Sequence, residues 1–107
     1  MTRLEQLFKY LGDSPDDSFI LFAIAKEYEG AGNEQEALAY YLRLGSGHPN
    51  YVGTYYHLGK LYERIGDEGG AVRAYSEGMM VAKKEGDRHA FSELAGARLV
   101  LRDEDEE

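Results

Sequence analysis

Apolar residues along this chain return every three or four positions, and no stretch sustains the alternating pattern of a strand. Leu4, Leu7 and Leu11 form one such stripe, and Leu21, Ile24, Ala25 and Tyr28 a second. Tyr55, Leu58 and Tyr62 form another, and Phe91, Leu94 and Ala95 follow the same spacing near the end. The pattern predicts an all-α fold of six helices, over about residues 2–11, 18–31, 34–44, 52–65, 68–84 and 88–101. Stop signals divide them. Gly12 closes the first, and the Asp13-Ser14-Pro15-Asp16 turn follows. Gly32 and Gly66 end the second and fourth, because glycine takes the left-handed conformation that terminates helices. Asn33 and Asp67 then serve as N-caps, with Glu36 completing a capping-box pattern behind Asn33. The Gly45-Ser46-Gly47 stretch reads as a loop, and Gly69, Gly70 and Gly78 make the fifth helix intrinsically poor, so packing must hold it.

The stripes also repeat at long range. Pro15 and Pro49 are 34 residues apart, and at the same offset Tyr28 pairs with Tyr62, Gly32 with Gly66, Ala37 with Ala71 and Tyr41 with Tyr75. Lys26 pairs with Lys60, Glu29 with Glu63 and Glu34 with Glu68. A fixed period in this range marks stacked supersecondary units, each too thin to bury its apolar face alone.

Composition narrows the functional classes. Cysteine is absent, which removes disulfides and thiolate metal sites. No apolar run is long enough to cross a membrane or to serve as a secretory signal, so a cytoplasmic protein is expected. Of the net charge of −8, the run Asp103–Glu107 supplies five negative charges, while residues 1–102 hold 15 acids against 12 bases. The body is only mildly acidic and carries no basic patch, which disfavours a nucleic-acid partner. Residues 103–107 read as a disordered, solubilising tail.

The repeated residues closely resemble the tetratricopeptide repeat, W-x2-L-G-x2-Y, then A-x3-F, then P. The first repeat reads Leu21, Ile24, Ala25, Tyr28, then Ala37, Tyr41, then Pro49; the second reads Tyr55, Leu58, Gly59, Tyr62, then Ala71, Tyr75, with Lys83 in place of the proline. A shift of two residues places Phe91, Leu94 and Ala95 in a truncated third unit, with Arg98 replacing the tyrosine. The resemblance divides the chain into a half repeat (2–17), repeat one (18–51), repeat two (52–87) and a closing helix (88–101), all in one domain. It implies antiparallel helical hairpins stacked in a right-handed superhelix, an α-solenoid. Ala25 and Gly59 stand where the helices of a unit cross, opposite Ala37 and Ala71, and the exchange between repeats predicts that alanine is tolerated at position 59. Tyr28, Tyr41, Tyr62 and Tyr75 fill the spaces between helices, with hydroxyls that need partners.

The resemblance further implies a non-catalytic adaptor or scaffold that binds a peptide or helix of another protein in a concave groove. It carries that groove onto Phe19, Phe22, Lys26 and Glu29 in the first unit, Tyr56, Lys60, Glu63 and Arg64 in the second, and His89 and Ser92 on the closing helix. Positions that hold a partner's terminal carboxylate in the co-chaperone subgroup are occupied here by Phe22, Lys26 and His57, so that ligand is not implied. The alternative is a self-assembly element whose end helices form a weak homodimer. His89 and Ser92 lack an orienting group and an oxyanion donor pair, which argues against catalysis. His48, His57 and His89 lack metal-ligand spacing, the acidic run lacks the glycine of a calcium loop, and no glycine pair follows a strand as a phosphate cradle would; no cofactor or metal is expected.

Overall fold

The computed structural model describes the backbone of residues 1–105 and side chains as far as Leu101. Its six helices are α1 (Arg3–Asp13), α2 (Ser18–Gly30), α3 (Glu34–Gly47), α4 (Gly53–Ile65), α5 (Glu68–Glu85) and α6 (Arg88–Asp105), with no strand among the described residues. They form two compact units that part between His48 and Pro49, three helices in each.

In the first unit α2 packs along both α1 and α3. Leu7 and Leu11 of α1, Leu21 and Ile24 of α2, and Leu44 of α3 make one core, with Leu4, Phe22, Tyr28 and Tyr40 against its edges. Each fully buried aliphatic side chain contributes about 1.5–3 kcal/mol, so the three-to-four spacing alone commits these stripes to one another. Phe8 closes an aromatic cluster with Tyr28 and Tyr40, at centroid distances of 6.2 and 6.1 Å, and the Arg43 guanidinium lies 6.0 Å from the Tyr40 ring. The Ser14–Asp17 turn is tied to the end of α3: Arg43 donates to the Pro15 carbonyl at 2.7 Å, and His48 Nε2 to that of Asp16 at 2.6 Å.

In the second unit α5 lies along both α4 and α6. Its core joins Tyr55, Ala71, Tyr75, Ala82, Leu94 and Leu101. The glycine content of α5 has a spatial reason. A Cβ at Gly78 would fall 2.5 Å from Tyr55 Cβ and 3.0 Å from a Leu94 methyl, so this point of α5 is pinched between α4 and α6. Helix propensity is given up there for close approach of three backbones. Tyr55 also donates its hydroxyl to the Pro49 carbonyl at 2.6 Å, fastening the entry of α4.

Several local expectations are corrected. Asn33 makes no side-chain cap, whereas Asp67, with nearly the same backbone angles, accepts from Gly70 N at 2.8 Å. A carboxylate answers the positive helix N-terminus better than a neutral amide does. The capping box lies at α1 instead, where Thr2 accepts from Glu5 N at 3.1 Å and Glu5 returns to Thr2 N. Gly12 and the Gly45-Ser46-Gly47 stretch are helical, because propagation adds a backbone bond per residue once packing has nucleated the helix. For the same reason α6, anchored by buried Leu101, continues through Asp105, where an unstructured tail was expected. Glu106 and Glu107, the rest of that tail, lie outside the described residues.

Candidate partner-binding surface

The 34-residue repeat builds the same four-residue arrangement twice, once in each unit. In the first, Tyr41 of α3 is fully buried and its hydroxyl donates to Glu29 Oε1 at 2.5 Å. Lys26, one turn back on α2, sets its Nζ 3.5 Å from the same carboxylate. The Phe22 ring meets the Tyr41 ring edge-on at 6.1 Å. In the second unit Tyr75 of α5 donates to Glu63, Lys60 Nζ lies 3.6 Å from that carboxylate, and the Tyr56 ring lies 6.4 Å from that of Tyr75. Lys60 also stands 5.5 Å over the Tyr56 ring, where the aromatic quadrupole favours a cation.

Helix spacing explains the set. Positions 22, 26 and 29 are three or four apart and share one side of α2, as 56, 60 and 63 do on α4. The tyrosine then arrives from the second helix of the hairpin, twelve residues after the glutamate in both repeats. Burial, and then the bond to Glu63 and its charge, push the Tyr75 phenol far above its ordinary value, so it is a permanent donor.

Of the residues expected to line a groove, Phe22, Lys26 and Glu29 therefore come together, as do Tyr56, Lys60 and Glu63. The two glutamates differ from the expectation in role. The Glu29 side chain is only 9% exposed and that of Glu63 30%, each turned back to hold a tyrosine and a lysine. What these faces present outward is an aromatic ring and an ammonium, the lysines being 45% and 42% exposed. Phe19 stands apart at the start of α2, 71% exposed, and Arg64 is exposed in the last turn of α4. His89 pairs with Glu93 at 3.6 Å, one turn along α6. Ser92 lines a cleft of about 460 Å³ with Ala82, Lys83, Arg88 and Phe91. The glutamate–tyrosine clasp was missed, although both residues recur in the repeat; that a carboxylate would point inward is not visible in a one-dimensional pattern. His48 bonds the Asp16 carbonyl and the His57 ring lies against Tyr56, so the three histidines sit in separate surroundings.

No protein-family model matches the chain. A curated TPR repeat-containing protein of Pseudomonas aeruginosa is 31% identical over 91 residues, which cover 85% of this chain and 87% of that protein. The crystal structure of a tetratricopeptide repeat domain protein from Salinibacter ruber is 43% identical, covering 80% of this chain and 96% of that one, with a TM-score of 0.75. The solution structure of a Bordetella parapertussis protein is 27% identical, covering 98% and 91%, with a TM-score of 0.84. The repeated helical hairpins and these relatives agree: the chain belongs to the tetratricopeptide repeat family, whose members are in general modules for protein–protein interaction.

Proposed function

We propose that this chain is a non-catalytic adaptor in which each unit by itself offers a contact surface for an extended or helical segment of a partner protein, the outward side of α2 around Phe22 and Lys26 in the first and that of α4 around Tyr56 and Lys60 in the second. The observation that carries the reading is the duplicated constellation itself. In each unit a half-buried ring rests on a buried tyrosine, beside a lysine held by a carboxylate. Packing alone explains the tyrosine and the glutamate, but it does not require an aromatic ring and a part-exposed ammonium at the outer positions of both repeats. A ring so backed loses little side-chain freedom on binding, the property of an anchoring contact. The ammonium groups select carboxylates beside the apolar anchor, adding specificity more than affinity because exposed ion pairs contribute little. No helix among the described residues is long and apolar enough to cross a membrane.

The test uses two fluorescent peptides with the same central leucine and phenylalanine, one flanked by Asp and Glu and the other by Lys. Anisotropy titrations are expected to favour the acidic peptide, and the joint change Phe22→Ala and Tyr56→Ala is expected to weaken it about tenfold or more while circular dichroism stays helical. Preference for the basic peptide, or binding indifferent to the two rings, would sink the reading.

A further inference from the structure

We propose that the cleft between the end of α5 and the start of α6 docks an acidic segment of a partner protein, with an apolar side chain set against Ala82 and Phe91 and a neighbouring carboxylate meeting Lys83 and Arg88. The site lies wholly within the second unit and is independent of the α2 and α4 surfaces. The cleft has a volume of about 460 Å³. Ala82, fully buried, and Phe91, half-buried, give it an apolar wall, while Lys83, Arg88 and Ser92 stand exposed around it. Sites for free small molecules enclose about 70–90% of the ligand surface. An opening edged by exposed side chains cannot do that, and it suits a side chain presented on a polypeptide.

The charges at this cleft are not ones that the repeat supplies. Lys83 stands where Pro49 stands in the preceding repeat. Arg88 follows Val52 by 36 residues, the offset that also pairs Phe91 with Tyr55, and so replaces an apolar residue. Lys83, in the last turn of α5, answers the negative end of that helix. Arg88 has no such account, because it is the first residue of α6, where the positive helix end disfavours a cation. The adjacent carboxylate is already committed: Asp87 Oδ1 accepts from Ala90 N at 3.0 Å, within the first turn of α6. Among the described residues neither Lys83 nor Arg88 forms an ion pair. In a chain of 20 acids and 12 bases, two cations held beside an apolar wall complement a carboxylate brought from outside. Gly86, also at the cleft, turns the chain with φ of 73°, and a Cβ there would meet nothing within 4 Å, which leaves room for the backbone of a docked segment.

The test is a nitrogen-15 amide NMR titration of the full chain with acetyl-Leu-Phe-Asp-Asp-amide and with the same peptide ending in Asn-Asn or Lys-Lys. The acidic peptide is expected to shift the Gly86, Arg88 and Phe91 signals saturably, with a dissociation constant of about 1 mM or below, and the Asn-Asn peptide to bind about tenfold more weakly. Lys83→Glu combined with Arg88→Glu is expected to reverse the order, favouring the Lys-Lys peptide about tenfold. One change opposes a helix dipole and the other suits one, so the thermal melt should hold. Ser92→Trp, at an exposed position, fills the cleft with both cations in place and is expected to weaken the acidic peptide about tenfold. The joint Phe22→Ala and Tyr56→Ala variant is expected to keep the Gly86 response, which separates failure here from failure of the α2 and α4 surfaces. Absence of saturable shifts at Gly86 and Phe91, equal binding of the Asn-Asn peptide, or an acidic preference that survives the charge reversal overturns the proposal.

Discussion

Replacing Gly59 by alanine adds one carbon at a point where the sequence repeat alone predicts no penalty, since the twin position is Ala25. The structure gives the opposite sign. A Cβ on Gly59 would sit 2.2 Å from Tyr75 Cε1 and 2.6 Å from Cδ1 and Cζ, where ordinary contact begins at 3.4 Å. The ring must therefore retreat by at least 1.2 Å. It has little room: Tyr75 is fully buried, its hydroxyl is bonded to Glu63, and its ring lies against Tyr56. In the first repeat Ala25 is accommodated beside a differently inclined pair, with Phe22 and Tyr41 at 68° where Tyr56 and Tyr75 are at 46°. Overpacking of this kind costs about 1–3 kcal/mol. Alanine returns up to about 1 kcal/mol through helix propensity. With that offset in full, the net expectation is a loss of up to about 2 kcal/mol, and each kcal/mol lowers the melting temperature by roughly 4–8 °C in a domain near this size. Thermal and urea melts followed by circular dichroism measure it. Tyr75→Phe, which frees the ring from Glu63, is expected to absorb part of the clash, giving a coupling of about 0.5 kcal/mol or more in the double variant. Gly59→Ala melting at or above the parent would refute the reasoning, and with it the role of this glycine as space for the ring.

Other outcomes follow from the same packing. Thr54 is fully buried, and its hydroxyl has no hydrogen-bond partner among the described residues. Thr54→Val keeps the shape and removes the unmet group, so a gain of about 1 kcal/mol is expected in urea melts; a loss would show that the hydroxyl is satisfied. Burial is the first cause raising the phenols of Tyr28, Tyr55 and Tyr75. An acid whose folded-state value is raised keeps its proton longer when folded, so its stabilisation is complete below the unfolded value, near pH 10, and is lost as the pH climbs further. Melting temperatures are thus expected to hold to about pH 9 and fall above 10, less steeply in Tyr75→Phe, and an equally steep fall in that variant would exclude Tyr75 as a source.

The hydrophobic pattern by itself determined six helices, their order and the repeat, because helix period, turn glycines and a 34-residue offset are local signals. The resemblance to the tetratricopeptide repeat brought forward the residues that gather on α2 and those that gather on α4, and helix spacing accounts for their sharing one side of each helix. Exact helix ends were less legible. Gly45–Gly47 and Asp103–Asp105 continue helices that packing elsewhere had already nucleated, and the choice between Asn33 and Asp67 as caps turned on charge at a helix terminus. The direction of each polar group belonged to tertiary structure. Glu29 and Glu63 face inward because buried tyrosine hydroxyls require acceptors, and those hydroxyls come from another helix twelve residues away. Gly78 likewise looks like a weak point in a one-dimensional reading, and Gly59 like a crossing that alanine could fill. In three dimensions they are the places where a ring and two neighbouring helices occupy the volume a side chain would need.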